Sequence, residues 1–291
     1  MPNLKDIQTR IRSVKKTRQI TAAMKLVASA KLKRATDAAS AARPYQQHLE
    51  KVLRKVAGSA GSDVDEPLLE ARSEIERICV VVLTTDRGLC GGFNNNLIRQ
   101  LQPWMQEKAY GGAEVYIRAY GRKGAGAFKR TDFQEEEPVI NWTNMPKMDV
   151  VAEIAETVTQ DFLEGRCDQV YLVYNEFVNV LTQTPRYLQL LPIGVEGEDE
   201  DAAPGPEYRY EPTAPEIVSH LLPLYVRTVV LQALLETGAG SQAARMTAMD
   251  NATRNADDLI SALTLEFNRA RQAAITTEII EIVSGAQALG G

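Results

Sequence analysis

From Met246 to Ala274 the chain sets Met246, Met249, Ala252, Ala256, Leu259, Leu263, Phe267, Ala270 and Ala274 at steps of three and four residues. That rhythm places one apolar stripe along a helix. Ile275, Ile279, Ile282, Ala286 and Leu289 carry it on after a slip of one residue. Pro223 can kink the first turns, but no proline follows it, and Gly238 and Gly240 weaken a helix locally without breaking it. A helix running from Leu224 to Leu289 would be roughly 100 Å long at about 1.5 Å per residue. A compact domain has no use for a rod of that length, so the chain must fold around an extended element.

The opposite end carries a matching pattern. Leu4, Ile7, Ile11 and Val14 step by three and four, as a coiled-coil seam requires. Thr17, Ile20, Met24 and Val27 resume the spacing, and Ala28, Leu32, Ala35, Ala39 and Ala42 follow after a slip of one. Pro44 disfavours a helical Arg43 and marks a break or kink. The stretch GSAGSDVDEP, residues 58 to 67, reads as a linker.

Between the two ends the period changes. ICVVVLTTD (78 to 86), VYIRAYG (115 to 121) and VYLVYNEF (170 to 177) are short β-branched runs, with helical candidates near 95 to 109, 122 to 130 and 147 to 164. Strands alternating with helices predict a Rossmann-like α/β domain with a mainly parallel sheet. RYLQLLP (186 to 192) reads as a returning antiparallel edge strand, and residues 194 to 212, acidic and rich in Gly and Pro, as a long exposed loop. The expected organisation is a first helix at 1–57, the α/β domain at 75–193, an acidic loop at 194–214 and a last helix at 215–291. The two end helices pair as a long antiparallel coiled coil. The last outruns the first, leaving an apolar end, ITTEIIEIVSGAQALGG, for something outside the pair to hold.

Charge is unevenly spread. Residues 1 to 43 hold eleven cations against Asp6 and Asp37, a net +9, so the rest of a chain that totals −5 carries −14. Such a basic segment fits nucleic acid, an anionic membrane or an acidic protein partner. With no aromatic residue before Arg43, base stacking is disfavoured. No run of 18 uncharged apolar residues and no secretory signal are read from the sequence.

The residues that could carry chemistry are few. Cys79, Cys90 and Cys167 are far apart with no CxxC pair and read as reduced buried thiols; His48 and His220 are the only histidines. TTDRGLCGGFN (84 to 94) sits where a doubly wound fold would hold a phosphate, but it lacks both GxGxxG and GxxxxGK[ST]. It therefore reads first as a structural turn, with an enzyme built on it as the competing reading. GRKGAGAFKR (121 to 130) reads as a helix start with a solvated basic face. Glu278 and Glu281 share a helical face without a second acid to make a hydrolytic pair, and Met246 and Met249 read as seam residues rather than soft-metal ligands.

Three of these stretches together resemble the γ subunit family of F-type ATP synthases, the central rotor shaft, over essentially the whole chain. They are IRSVKKTRQITAAMKLVASAKLKRA (11 to 35), TDRGLCGGFN and ARQAAITTEIIEIVSGAQAL. In the last, Ile275, Thr276, Glu278, Glu281, Gly285, Ala286 and Ala288 fall on the family's positions.

The resemblance implies a non-catalytic shaft with no cofactor or metal. It implies terminal helices that enter a hexameric α/β head, with the α/β domain near the ε subunit and the c ring, and the δ subunit as a further partner in the complex. Met24 and Lys25 match a coupling position on the first helix. Arg245, Gln272 and Thr276, with Glu278, match the polar contacts facing β on the long helix, and acidic segments of β would meet the basic first helix. Tyr208 and Glu211 match a foot near the c ring. The chain lacks the inserted cysteine pair of chloroplast members, so no thiol switch of that type is expected. Its direct start with the first helix favours a bacterial protein, peripheral on the cytoplasmic side of the inner membrane.

Overall fold

A computed structural model describes residues 4–60, 66–129, 131, 133, 148–194, 211 and 213–289. The elements run α1 (Leu4–Ala60), β1 (Arg77–Leu83), α2 (Phe93–Tyr110), β2 (Glu114–Tyr120), α3 (Arg122–Phe128), α4 (Met148–Leu163), β3 (Gln169–Phe177), β4 (Gln183–Leu191) and α5 (Ala214–Leu289). They form two compact units, Ser29–Ala244 and Met1–Ala28 with Arg245–Gly291.

In the larger unit the strand order is β2-β1-β3-β4. β1 lies parallel to both β2 and β3, and β4 closes the sheet antiparallel to β3. β1 is central because both of its faces are apolar. Ile78, Val80 and Val82 pack with Leu97, Leu101 and Met105 of α2 and Phe128 of α3. Cys79, Val81 and Leu83 turn the other way, into a core with Val151, Ile154 and Val158 of α4 and Val226, Val230 and Leu234 of α5. This period-two alternation is what the β-branched run ICVVVL encodes.

Two expectations for the first helix need correction. α1 does not break at Pro44 and continues through it to Ala60. Pro44 and Ser40 both lie on the exposed face, so water can reach the carbonyl that the proline leaves without a partner. Gly58, Ser59 and Ala60, expected in the linker, are helical instead, and residues 61–65 lie outside the described residues.

The seam holds at Leu4, Ile7, Ile11 and Val14 and from Ala28 to Ala42, but departs from the expected phase at Thr17, Ile20 and Val27. Ile20 is 60% and Val27 56% exposed, whereas Thr21 and Ala28 are buried. Ile7, Val14, Thr21, Ala28, Ala35, Ala42, Leu49 and Val56 recur every seven residues without a slip, and all are buried or half-buried. The repeat passes through a polar stretch, which hid it from a search for apolar spacing.

In the smaller unit α1 and α5 run antiparallel. Arg18 meets Asp257 at 2.5 Å, the Thr21 and Thr253 hydroxyls share a hydrogen bond of 2.8 Å, and Lys25 Nζ donates to Asp250 Oδ1 at 2.6 Å. Moving outward by heptads from Thr21 and Thr253 brings Val14 opposite Ile260 and Ile7 opposite Phe267, all buried or half-buried. Met249, Ala256 and Leu263 are buried as the last helix's rhythm requires, while Leu259 is more open. From Arg271 to Gln287 every side chain is exposed. The unpaired end expected of the longer helix is present.

α5 also holds an 18-residue window apolar enough to cross a membrane, which the search for an uncharged run did not register. Half of that window is buried inside the protein, and Val226, Val230, Ala233 and Leu234 serve as core of the α/β unit.

Candidate functional site

The Gly-rich turn after β1 is where a ligand would be sought, and the helix that faces it has its first amides already engaged. Thr84 Oγ1 accepts from Gly124 N at 2.8 Å, Thr85 O from Lys123 N at 3.1 Å, and Asp86 Oδ1 from Arg122 N at 3.0 Å. Ala125 N bonds Gly121 O at 3.1 Å. The four amides that open α3, which could otherwise cradle a phosphate, are thus satisfied from within the chain. Asn94 locks the other side, accepting from Thr85 N at 3.0 Å and donating to Thr85 Oγ1 at 2.9 Å.

The glycines of GRKGAG serve this closure. Gly121 has φ +99°, and a Cβ there would lie 2.2 Å from Thr84 O; at Gly124 it would lie 2.9 Å from Thr84 Oγ1. Only glycine lets α3 approach β1 this closely.

The crevice between β1 and β3, the switch point of the sheet, is filled as well. Asn175 Nδ2 on β3 donates to Phe93 O, the first residue of α2, at 3.0 Å. Gly240 of α5 lies against Phe93 and Gln183. α5 occupies the place a dinucleotide would take. Among the described residues no cluster of three or more metal-ligating side chains is found. The three cysteines are free and buried, as expected, and burial pushes the Cys79 thiol well above its ordinary range.

The residues singled out by resemblance lie along the two long helices. Met24 is half-buried and Lys25 is engaged by Asp250. The hydrogen bond from Lys25, opposed by desolvation and helped by Arg254, holds the Asp250 carboxyl below its ordinary range. Arg245 is buried, whereas Gln272, Thr276 and Glu278 are exposed, with Thr276 Oγ1 donating to Gln272 O at 2.9 Å. Glu211 is exposed, and Tyr208 lies outside the described residues.

Sequence reasoning missed the layer formed by Arg18, Thr21 and Lys25 with Asp250, Thr253 and Asp257. A strict seven-residue count, blind to polarity, would have found its half on α1.

The ATP synthase family model matches residues 3–289. The chain belongs to this family. It is 46% identical over 289 residues to the ATP synthase gamma chain of Pelotomaculum thermopropionicum, covering 99% of this chain and all of that one. It is 45% identical to the ATP synthase gamma chain of Heliobacterium modesticaldum, with both chains covered in full. Among solved structures it resembles a chain of the Euglena gracilis mitochondrial ATP synthase OSCP/F1/c-ring assembly. That likeness has a TM-score of 0.66 at 19% identity and covers 98% of this chain and 94% of that one. A chain of the Tetrahymena thermophila mitochondrial ATP synthase central stalk and c ring matches with a TM-score of 0.59 at 24% identity, covering 80% and 99%. ATP synthase gamma chains thus share this fold: long terminal helices with a mainly parallel sheet between them in sequence.

Proposed function

We propose that this chain is the non-catalytic central-stalk rotor subunit of a proton-translocating F-type ATP synthase. It couples rotation of the c ring to conformational change at the catalytic sites of the β subunits. The observation that carries this reading is the bare end of α5. Residues 271–287 continue as helix past the start of α1 with every side chain exposed, and they include Ile275, Ile279, Ile280, Ile282 and Val283. An isolated helix gains little from an apolar exposed row, so such an end is shaped for a surface on another chain.

The engaged amides of α3 and the filled crevice support the non-catalytic part of the reading, because they occupy the place where a doubly wound sheet would hold a nucleotide. A rotor of this kind acts by favouring different conformations of its partners as it turns, which requires differential contact rather than chemistry. Met24 and Lys25 on α1 and Arg245, Gln272, Thr276 and Glu278 on α5 are the contacts assigned to the α and β head. Tyr208 and Glu211 are assigned to the foot toward the c ring, with ε near the α/β domain and δ a further subunit of the complex. One copy would sit in each complex, peripheral to the inner membrane of a bacterium on its cytoplasmic side.

The test is reconstitution with the other subunits of the complex, the c ring and proton-translocating membrane sector included, in sealed vesicles. The isolated chain should show no heat of binding on titration with ATP. In the assembled complex, Met24→Lys should lower protons pumped per ATP hydrolysed while leaving assembly intact. ATP binding by the isolated chain would overturn the non-catalytic assignment, and undiminished coupling in Met24→Lys would overturn the contact assigned to Met24.

A further inference from the structure

Residues 44–291 carry a net charge of −14, yet the charged side chains that line one groove in this part of the chain are, among the described residues, all cations. Its walls are α2, through Asn95, Ile98, Arg99 and Gln102, and α3, through Arg122, Lys123, Gly126 and Ala127, around about 450 Å³ of space. On α2 these positions follow the spacing that puts side chains on one helical face. Among the described residues no carboxylate lines the groove. Gly126 opens its floor, since a Cβ built there would meet nothing within 4 Å.

We propose that this groove is a docking surface for an acidic, helical or extended segment of a partner protein. A lone phosphate is the poorer fit. It would seek backbone amides, and those opening α3 are committed to Thr84, Thr85, Asp86 and Gly121. What the groove offers is side-chain charge from Arg99 and Lys123, amide groups from Asn95 and Gln102, and an apolar patch from Ile98 and Ala127. That mixture suits a peptide bearing carboxylates beside an aliphatic residue, and the space exceeds what one phosphate fills. Guanidinium groups pair with carboxylates in bidentate fashion, and a groove of one sign raises the local concentration of the opposite charge. This surface is separate from the contacts assigned to the two long helices and does not depend on them.

The experiment uses the full chain and a labelled 15-residue peptide with glutamates at every i,i+4 position around a leucine. Hydrogen exchange with and without peptide should show protection at residues 95–102 and 122–128. Arg99→Glu with Lys123→Glu should weaken binding at that site at least tenfold and remove the protection. Arg99→Gln with Lys123→Gln should give an intermediate loss, which keeps the test valid if the reversed pair folds poorly. Lys15→Glu with Lys16→Glu on α1 should leave the protection at the groove unchanged. Peptide binding that leaves 95–102 and 122–128 unprotected, or that survives both groove variants, would overturn the proposal. So would protection by inorganic pyrophosphate or by phosphatidylglycerol vesicles in place of the peptide.

Discussion

Gly240 of α5 lies so close to the ring of Phe93 that a Cβ at position 240 would stand 2.9 Å from Phe93 Cε2 and 3.2 Å from Gln183 Cγ. A glycine in the middle of a long helix normally weakens it. Here it lets the helix settle onto the ends of β1 and β3, and the contact explains why the sheet has no open crevice.

Gly240→Ala should therefore destabilise despite its gain in helix propensity. Overpacking of this kind costs about 1–3 kcal/mol. Thermal denaturation of Gly240→Ala, Phe93→Leu and the double variant should show a smaller combined loss than the two singles added. Strict additivity would mean that the two residues do not press on one another.

Two glycines of one segment should respond in opposite directions. Gly121→Ala places a methyl 2.2 Å from the Thr84 carbonyl oxygen at φ +99°, so the unit should unfold or lose more than about 2 kcal/mol. Gly126→Ala meets open space on a helix and should gain up to about 1 kcal/mol. Equal effects in urea denaturation would refute the close approach of α3 to β1.

Asp168 gives the α/β unit an acid-side dependence. Burial works to raise its pKa, but the Arg77 amide, the Arg72 guanidinium and the Glu76 amide together hold the carboxyl below its ordinary range. A carboxyl depressed in the folded state contributes stability above its unfolded pKa, about 3.9, and that contribution is lost as pH falls through the folded value. Asp168→Asn should lower the melting temperature most at pH 6, and its difference from the parent should shrink below about pH 4. A difference that grows on acidification would contradict the assignment.

The phase of the α1 seam can be tested by moving one charge. Ile7→Asp buries an unpaired carboxylate against α5 and should cost several kcal/mol. Val27→Asp, on a side chain 56% exposed, should change the melting of the isolated chain by less than about 0.5 kcal/mol. Lys25→Ala removes a half-exposed ion pair and should cost at most about 1 kcal/mol. If Val27→Asp proves as damaging as Ile7→Asp, the seam runs through Ile20 and Val27 after all.

Much of the fold was legible because its signals are local. ICVVVL reads as a buried strand from its β-branched side chains alone, and RYLQLLP as a returning edge from its place after the third run. The Pro44 expectation failed because it rested on the dipeptide, whereas the exposure of Ser40 and Pro44 decides whether a helix tolerates it. The seam failed at Thr17, Ile20 and Val27 because α1 and α5 meet there through Thr21, Lys25 and Arg18. Polar seam positions reveal themselves only when a partner more than 200 residues away supplies Thr253, Asp250 and Asp257. The closure of the Gly-rich turn was hidden in the same way, since Thr84 and Gly124 are 40 residues apart. Absence of a phosphate motif could be read from the sequence, but the engagement of the amides that open α3 could not.

α5 is one uninterrupted helix in three different surroundings. From Thr228 to Ala243 every side chain except Leu231 is buried; from Met246 to Ala270 burial is confined mainly to one stripe; from Arg271 to Gln287 there is none. The free energy needed to open a stretch of helix rises with the apolar contact that opening would break. α5 is therefore a ramp, and its boundary between helix and coil is a front that can move only from the C-terminal end inward. In the chain alone, amide protons should exchange fastest beyond Arg271 and slowest between Thr228 and Ala243. Whatever covers the last turns would halt that front at its outer edge and convert the loosest part of the helix into a stiff one.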